Sequence, residues 1–282
     1  MTQDKIKGLF IGAALGDSLG APHERNRNLE YSGKLEYPII HKKLFSNIVL
    51  TSDLGQVTDD TEMTLILIRS ILNNRCFISN KNADEPSPDK NSEWRLSRGN
   101  LKANSWCYDQ TMAIKLYLEW ANDKKNFFLG RNTRALFCGV KTINGYVRRV
   151  NKIVNTNNLQ SNGALMRCSP LAFFNDIDIK NDCFITNPND LCYNVNLVYC
   201  HAIKNIYNGE TDMKKIIDYA INESNEKIQE FLNYAKNKND ININNKNKGW
   251  CLYGLYCAFY SILHFDNYKD GIDWVINKGG RH

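Results

Sequence analysis

Apolar positions along this chain recur mostly with helical rather than alternating spacing. Residues 5–20 place Ile6, Phe10, Ala13, Ala14 and Leu15 largely on one side, and Gly8, Gly12 and Gly16 recur every fourth position. Each glycine costs a helix about 1 kcal/mol relative to alanine, so three on one stripe predict a close approach to that backbone. A second helix is predicted from Thr58 to about Asn73, with Met63, Leu65, Ile66, Ile68 and Leu72 as its apolar positions. The same spacing predicts helices at 105–122, 131–143, 164–174, 190–207, 212–236, 249–264 and 268–277. Residues 21–57, with Pro22, Gly33, Pro38 and Gly55, read as a long loop, and 79–104, polar with Pro86 and Pro88, as an exposed insertion. The strip 155–163 reads as a polar turn, and 237–248 as a low-complexity surface loop. No run of alternating strands stands out, so the expected fold is all-α, a single globular multi-helix domain over residues 1–282.

Composition narrows the function classes. The chain has 282 residues, 36 basic against 30 acidic, for a net charge of +6. That balance lacks a Lys/Arg-rich run and speaks against a nucleic-acid partner. With 43% hydrophobic residues the chain can bury a core, which excludes wholesale disorder. The longest apolar stretch, around Leu252–Leu263, is interrupted and too short to span a bilayer. The opening MTQDKIKG lacks the apolar segment of a secretory leader. Nine cysteines, spread singly with no C-x-x-C, argue against a disulfide scaffold or zinc framework and for a reducing, cytoplasmic compartment.

Three segments carry candidate chemistry. Thr58-Asp59-Asp60-Thr61-Glu62 puts three acids and two hydroxyls at the start of an apolar helix. Thr58 or Asp59 can cap that helix, and acids in its first turn favour the dipole. The same oxygens suit a hard cation, Mg²⁺ or Mn²⁺. On these residues alone a metal-dependent phosphatase or nuclease is also open. In Gly12–Glu24, Asp17 sits among small residues, where backbone N–H groups can satisfy it, and Glu24 follows a Gly-Ala-Pro stop on a loop. Ser161–Arg167 opens with Asn162-Gly163, a turn whose free amides can receive a phosphate. His201 reads as a satisfied core or surface histidine, and Met166 and the aromatics of 256–260 as core.

Together these segments resemble the ADP-ribosylglycohydrolase family. The resemblance rests on GAALGDSLGAPHE at 12–24, GQVTDDTEMTL at 55–65 and SNGALMR at 161–167, in matching order and spacing. Weaker agreement runs through Gly130–Arg134, Cys192–Asn194 and 249–263. The resemblance implies an all-α domain with a two-magnesium cleft that hydrolyses the bond between ADP-ribose and a protein side chain, or a related linkage. It implies that Thr58, Asp59 and Asp60 hold metal, that Glu24 is catalytic beside the scissile ribose, and that Asn162 and Gly163 touch ADP-ribose. Asp17 is implied to be structural. The implied partner is ADP-ribose or an ADP-ribosylated protein, with neither nucleic acid nor membrane.

Two departures from the family pattern stand out. The family's second acidic cluster, Gly-Gly-Asp-Thr-Asp-Thr, falls where this chain reads Asn277-Lys278-Gly279-Gly280-Arg281-His282. Loss of those carboxylates leaves the Thr58–Asp60 cluster with water and substrate oxygens, and keeps open a catalytically impaired relative that only binds ADP-ribose or an ADP-ribosylated protein. Asn187 stands where relatives commonly have histidine; it is expected to be able to hydrogen-bond a ligand without carrying charge.

Overall fold

The computed structural model describes residues 2–23, 31, 33–34, 53–76, 105–123, 129–154, 159–243 and 247–278. Eleven α-helices run through them: α1 (Thr2–Gly20), α2 (Asp59–Leu72), α3 (Gln110–Ala121), α4 (Arg131–Phe137), α5 (Ile143–Val154), α6 (Asp176–Thr186), α7 (Asp190–Tyr207), α8 (Met213–Asn222), α9 (Glu226–Lys236), α10 (Cys251–His264) and α11 (Tyr268–Asn277). Two 3-10 turns, Leu165–Arg167 and Ser169–Phe173, link α5 to α6. The sheet content among the described residues is a two-residue antiparallel ladder, β1 (Arg75–Cys76) on β2 (Ser105–Trp106), and one isolated bridge, Ser161 to Trp250. The all-α expectation holds. The predicted insertion at 79–104 lies outside the described residues.

Several element boundaries differ from the sequence expectation, each for a local reason. The helix predicted at 131–143 ends at Phe137, because Gly139 adopts a left-handed backbone (φ 75°) that an α-helix cannot continue through. Helix α5 then starts beyond it. Its Asn144-Gly145 pair looks like a turn in the sequence, but the Thr142 hydroxyl accepts from the Gly145 amide (3.1 Å) and starts a helix there. Helix α6 is likewise opened by Asn175, whose side chain accepts from the Asp178 amide. The predicted 212–236 helix is two, divided where Asn225 caps α9 by accepting from Ile228. Residues 105–106 are strand, not helix.

One hydrophobic cluster gathers residues from every helix from α2 to α11, with Met63, Leu67, Tyr117, Phe137, Leu171, Ile216 and Phe259 among its buried side chains. Tyr256 and Phe259 are core as expected, and Met166 packs against it. Leu65 and Leu72, read as core positions of α2, face outward. Among the described residues seven cysteines are free thiols, and Cys107, just after β2, is disulfide-bonded. No described helix is long and apolar enough to cross a membrane.

The glycine stripe of α1 has a partner. Tyr268 of α11 donates its hydroxyl to the Gly12 carbonyl (2.5 Å). A Cβ on Gly12 would stand 3.6 Å from the Tyr268 ring, and one on Gly16 would stand 3.2 Å from its hydroxyl and 3.4 Å from Ile272. Small residues, not the large apolar ones, therefore make the docking face. Ile11 and Leu15 point outward, which corrects the expected apolar side for Leu15. Gly8 meets nothing within 4 Å and is exposed. Gly8→Ala is therefore expected to stabilise the protein by about 0.5–1 kcal/mol. Gly16→Ala gains the same helix propensity but must displace Tyr268, so its melting temperature should fall below that of Gly8→Ala. Equal melting temperatures would show that α11 does not press on α1.

Candidate active site

The N-terminal end of α2 is built by a residue from another helix. Asp17, in the last turn of α1, accepts at Oδ2 from the Thr58 amide (2.9 Å), the Thr61 amide (3.1 Å) and the Thr61 hydroxyl (2.6 Å). Its Oδ1 accepts from the Thr58 hydroxyl (2.7 Å). The first amides of a helix have no intrahelical acceptor, and negative charge beside them is favourable. Asp17 therefore fills the role of an N-cap. Thr58 holds the N-cap position with extended backbone, but its side chain makes no capping bond. This corrects the expectation that Thr58 or Asp59 caps α2: the Thr58 hydroxyl is committed to Asp17. The expected backbone N–H partners of Asp17 exist, but they lie 41 and 44 residues along the chain.

With the cap supplied from outside, the acids of the first turn take other roles. Asp59 Oδ2 accepts from the Gly130 amide (2.8 Å), which precedes α4. Asp60 Oδ2 lies 3.5 Å from the Thr58 hydroxyl oxygen. Glu62 turns away toward α3 and accepts from the Trp120 indole N–H (2.8 Å). Burial raises its pKa above the ordinary carboxylate value, against the opposing Trp120 hydrogen bond.

The Asn162-Gly163 turn stands beside this helix end. The Thr64 hydroxyl donates to the Asp60 carbonyl (2.8 Å) and lies 3.5 Å from the Met166 carbonyl. Helix α4 joins the two segments: Gly130 serves Asp59, and Asn132 donates to the Ser161 hydroxyl (3.0 Å). Asn162 donates its amide to the Gly249 carbonyl (2.7 Å), and Ser161 bridges to Trp250 at the start of α10. Thr58, Asp59, Asp60, Asn162 and Gly163 are thus held in one region. Glu24 lies outside the described residues; α1 and its following turn lead to it from Asp17.

Two residues that sequence reasoning left out of the site, or placed differently, hold the turn from inside. Arg167 is fully buried and pairs with Asp182 of α6 (Nε to Oδ2, 3.0 Å). It also donates to the Gly163 carbonyl (2.5 Å), the Thr186 hydroxyl (2.7 Å) and the Asp182 carbonyl (2.8 Å), with its guanidinium 5.3 Å from the centre of the Tyr117 ring. Burial opposes its charge, but Asp182 and its neighbours hold its pKa above the ordinary arginine value. Asn187 is also fully buried, and its amide nitrogen donates to the Leu159 carbonyl (2.9 Å), the Ser161 carbonyl (3.0 Å) and the Ser161 hydroxyl (3.1 Å). It therefore does not present itself to a ligand, which corrects the earlier expectation. The sequence signal available for Arg167 was its place at the end of SNGALMR. For Asn132 it was the Gly130–Arg134 agreement.

The donor set at α2 suits a hard cation in part. Thr58 gives its hydroxyl proton to Asp17, so its lone pairs remain for a cation. Its 3.5 Å separation from Asp60 Oδ2 lies near the roughly 3 Å edge that Mg–O bonds of about 2.0–2.1 Å create. No group of three or more His, Cys, Asp or Glu able to hold a metal occurs among the described residues. Thr58, Asp59 and Asp60 therefore fit a Mg²⁺ that keeps several waters, rather than a closed protein cage.

A family model, described as ADP-ribosylglycohydrolase, matches residues 1–282. The chain belongs to the ADP-ribosylglycohydrolase family. It is 41% identical over 68 residues to the ADP-ribosyl-dinitrogen reductase glycohydrolase of Rhodospirillum rubrum, a match covering 24% of this chain and 22% of that relative. The solved structure of an "ADP-ribosylglycohydrolase-related protein complex" superposes with a TM-score of 0.64 at 16% identity. That superposition covers 99% of this chain and 82% of the other. It shows that this ADP-ribosylglycohydrolase family member shares the fold.

Asp17→Ala is expected to lower the unfolding free energy by about 2–3 kcal/mol, the range for lost hydrogen bonds to a charged group. Urea denaturation measures this, and a loss under about 0.5 kcal/mol would contradict the capping role.

Proposed function

We propose that the protein hydrolyses the glycosidic bond that links ADP-ribose to a protein side chain, with Mg²⁺ as cofactor and Mn²⁺ as a substitute. The observation that carries this reading is the meeting of two motifs far apart in sequence. The carboxylate-rich end of α2 and the Asn162-Gly163 turn are joined through Gly130 and Asn132 at the start of α4. The R. rubrum relative is itself named for removing ADP-ribose from dinitrogen reductase.

On this reading Thr58, Asp59 and Asp60 hold the metal. Bound there, the ion would orient ribose hydroxyls and lower the pKa of a bound water. Departure of the side chain leaves an oxocarbenium-like centre on the ribose, which negative charge nearby stabilises. Asn162 and Gly163 bind the ADP-ribose; the Asn162 N–H is already given to the Gly249 carbonyl, so on this reading Asn162 contributes its side chain and Gly163 its backbone N–H. Glu24 positions the attacking water and accepts its proton. Asp17 fixes the direction of the first turn of α2, so the two carboxylates need not reorganise on binding.

Release of ADP-ribose from arginine- and serine-ADP-ribosylated protein, with Mg²⁺ and with EDTA, tests this function. Release from at least one substrate should occur and should stop with EDTA. A folded protein that binds ADP-ribose but releases none from either would support the alternative of an impaired relative that only binds.

Two variants test the assignments separately. The folded double variant Asp59→Ala, Asp60→Ala should lose Mg²⁺ binding in calorimetry; unchanged affinity would remove both residues from the metal site. Glu24→Gln should slow release at least a hundredfold while ADP-ribose affinity stays within a few-fold, in line with the contribution of about 10²–10⁴ from general acid–base groups. Equal rates would take Glu24 out of the mechanism.

A further inference from the structure

We propose that Asn187 and Arg167 are positioning residues: they set the backbone of Ser161–Gly163 in the shape that receives ADP-ribose, without touching the ligand. The proposal rests on the assignment of Asn162 and Gly163 to ADP-ribose. Both side chains are fully buried. Each spends donors on this short segment, from opposite ends. Asn187 holds the carbonyls of Leu159 and Ser161, and Arg167 holds the carbonyl of Gly163.

The two grips are one unit. Thr186 accepts from Arg167 (2.7 Å) and donates to Asn187 Oδ1 (2.8 Å), so neither side chain can rotate alone without leaving a buried polar atom unmatched. With these carbonyls turned inward to Asn187 and Arg167, the peptide groups of the turn are locked in orientation. A buried charge is a poor device for stability alone, because apolar packing of equal volume serves as well. Its use here is to tie the Gly163 carbonyl of the turn to α6.

An asparagine that also ties three carbonyls, but on an exposed residue, supplies the control. Asn122, at the end of α3, donates to the carbonyls of Leu118 (2.8 Å), Phe137 (3.1 Å) and Val140 (2.9 Å). It sits at the opposite end of α4 from Gly130.

The experiment titrates ADP-ribose with Mg²⁺ into wild type, Asn187→Asp, Arg167→Lys and Asn122→Asp by calorimetry, each at a temperature where it is fully folded. Asn187→Asp keeps the shape of the side chain and its acceptor for Thr186, but replaces the amide donor by an acceptor. Arg167→Lys keeps the charge opposite Asp182 but lacks the fork that reaches Gly163. Both are expected to raise Kd at least tenfold, with faster hydrogen exchange of the 159–163 amides. Asn122→Asp should leave Kd within twofold, whatever it does to the melting temperature.

If wild type binds and Asn187→Asp binds within twofold of it, the positioning role is overturned while the ADP-ribose assignment stands. If Asn122→Asp weakens binding as much as Asn187→Asp, the effect is general to the fold and the proposal also falls. If wild type does not bind, the ADP-ribose assignment itself fails and takes the proposal with it. Should Asn187→Asp or Arg167→Lys fail to fold, Ser161→Ala decides. It removes the acceptor shared by Asn187 and Asn132, and should raise Kd at least threefold; an unchanged Kd overturns the proposal.

Discussion

A guanidinium with no access to water governs the middle of this molecule. Arg167 must find a partner for its charge and an acceptor for each N–H, or its burial costs several kcal/mol. Asp182 supplies the charge, Thr186 and the carbonyls of Gly163 and Asp182 supply acceptors, and Tyr117 supplies a ring face. Those partners belong to α6, α3 and the Asn162-Gly163 turn, so the requirements of one side chain fix three elements relative to one another. The Tyr108 hydroxyl, donating to the other Asp182 oxygen, extends the same network to the segment that enters α3.

The candidate site is assembled from helix ends rather than from a groove in the core. The end of α1 brings Asp17, the start of α2 brings Thr58, Asp59 and Asp60, and the start of α4 brings Gly130 and Asn132. Helix ends leave backbone N–H groups unmatched by the helix itself, and here acids from neighbouring elements take them up. The arrangement concentrates carboxylates where amide dipoles favour them. The capping is done by Asp17, which leaves Asp59 and Asp60 to face neighbouring elements.

The legible parts of the sequence were those with a strong local signature. The helical periodicity showed most of the helices, and the glycine spacing announced the contact that Tyr268 makes. The cluster at Thr58–Asp60 was legible because three acids and two hydroxyls in five residues are unusual at the head of an apolar helix. The cap on α2 was not legible as it stands, since Thr58 is locally a better candidate than Asp17, and only the tertiary fold brings Asp17 across. Arg167 and Asn187 were hidden for a related reason. A single polar residue shows nothing of its burial until the partners that satisfy it, such as Asp182 and Ser161, are in place. Helix α5 has no local signature of its own: its Asn144-Gly145 pair favours turns when seen alone, and Thr142 reverses that preference.

The contact between Tyr268 and Gly12 spans 256 positions of chain. During synthesis Gly12 leaves the ribosome 256 residues before Tyr268, whose helix covers the glycine face of α1. Until then α1 leans on α2 and, through Lys5, on the carbonyls of Ile206 and Tyr207 at the end of α7, with Ile11 and Leu15 turned to solvent. Closing so large a loop is slow, and contacts of this range delay folding. The nascent protein therefore carries the glycine face of α1 uncovered until α11 has emerged, so the docking of these two helices is a late event of folding. Folding order thus ties the first acid of the site to the last described helix.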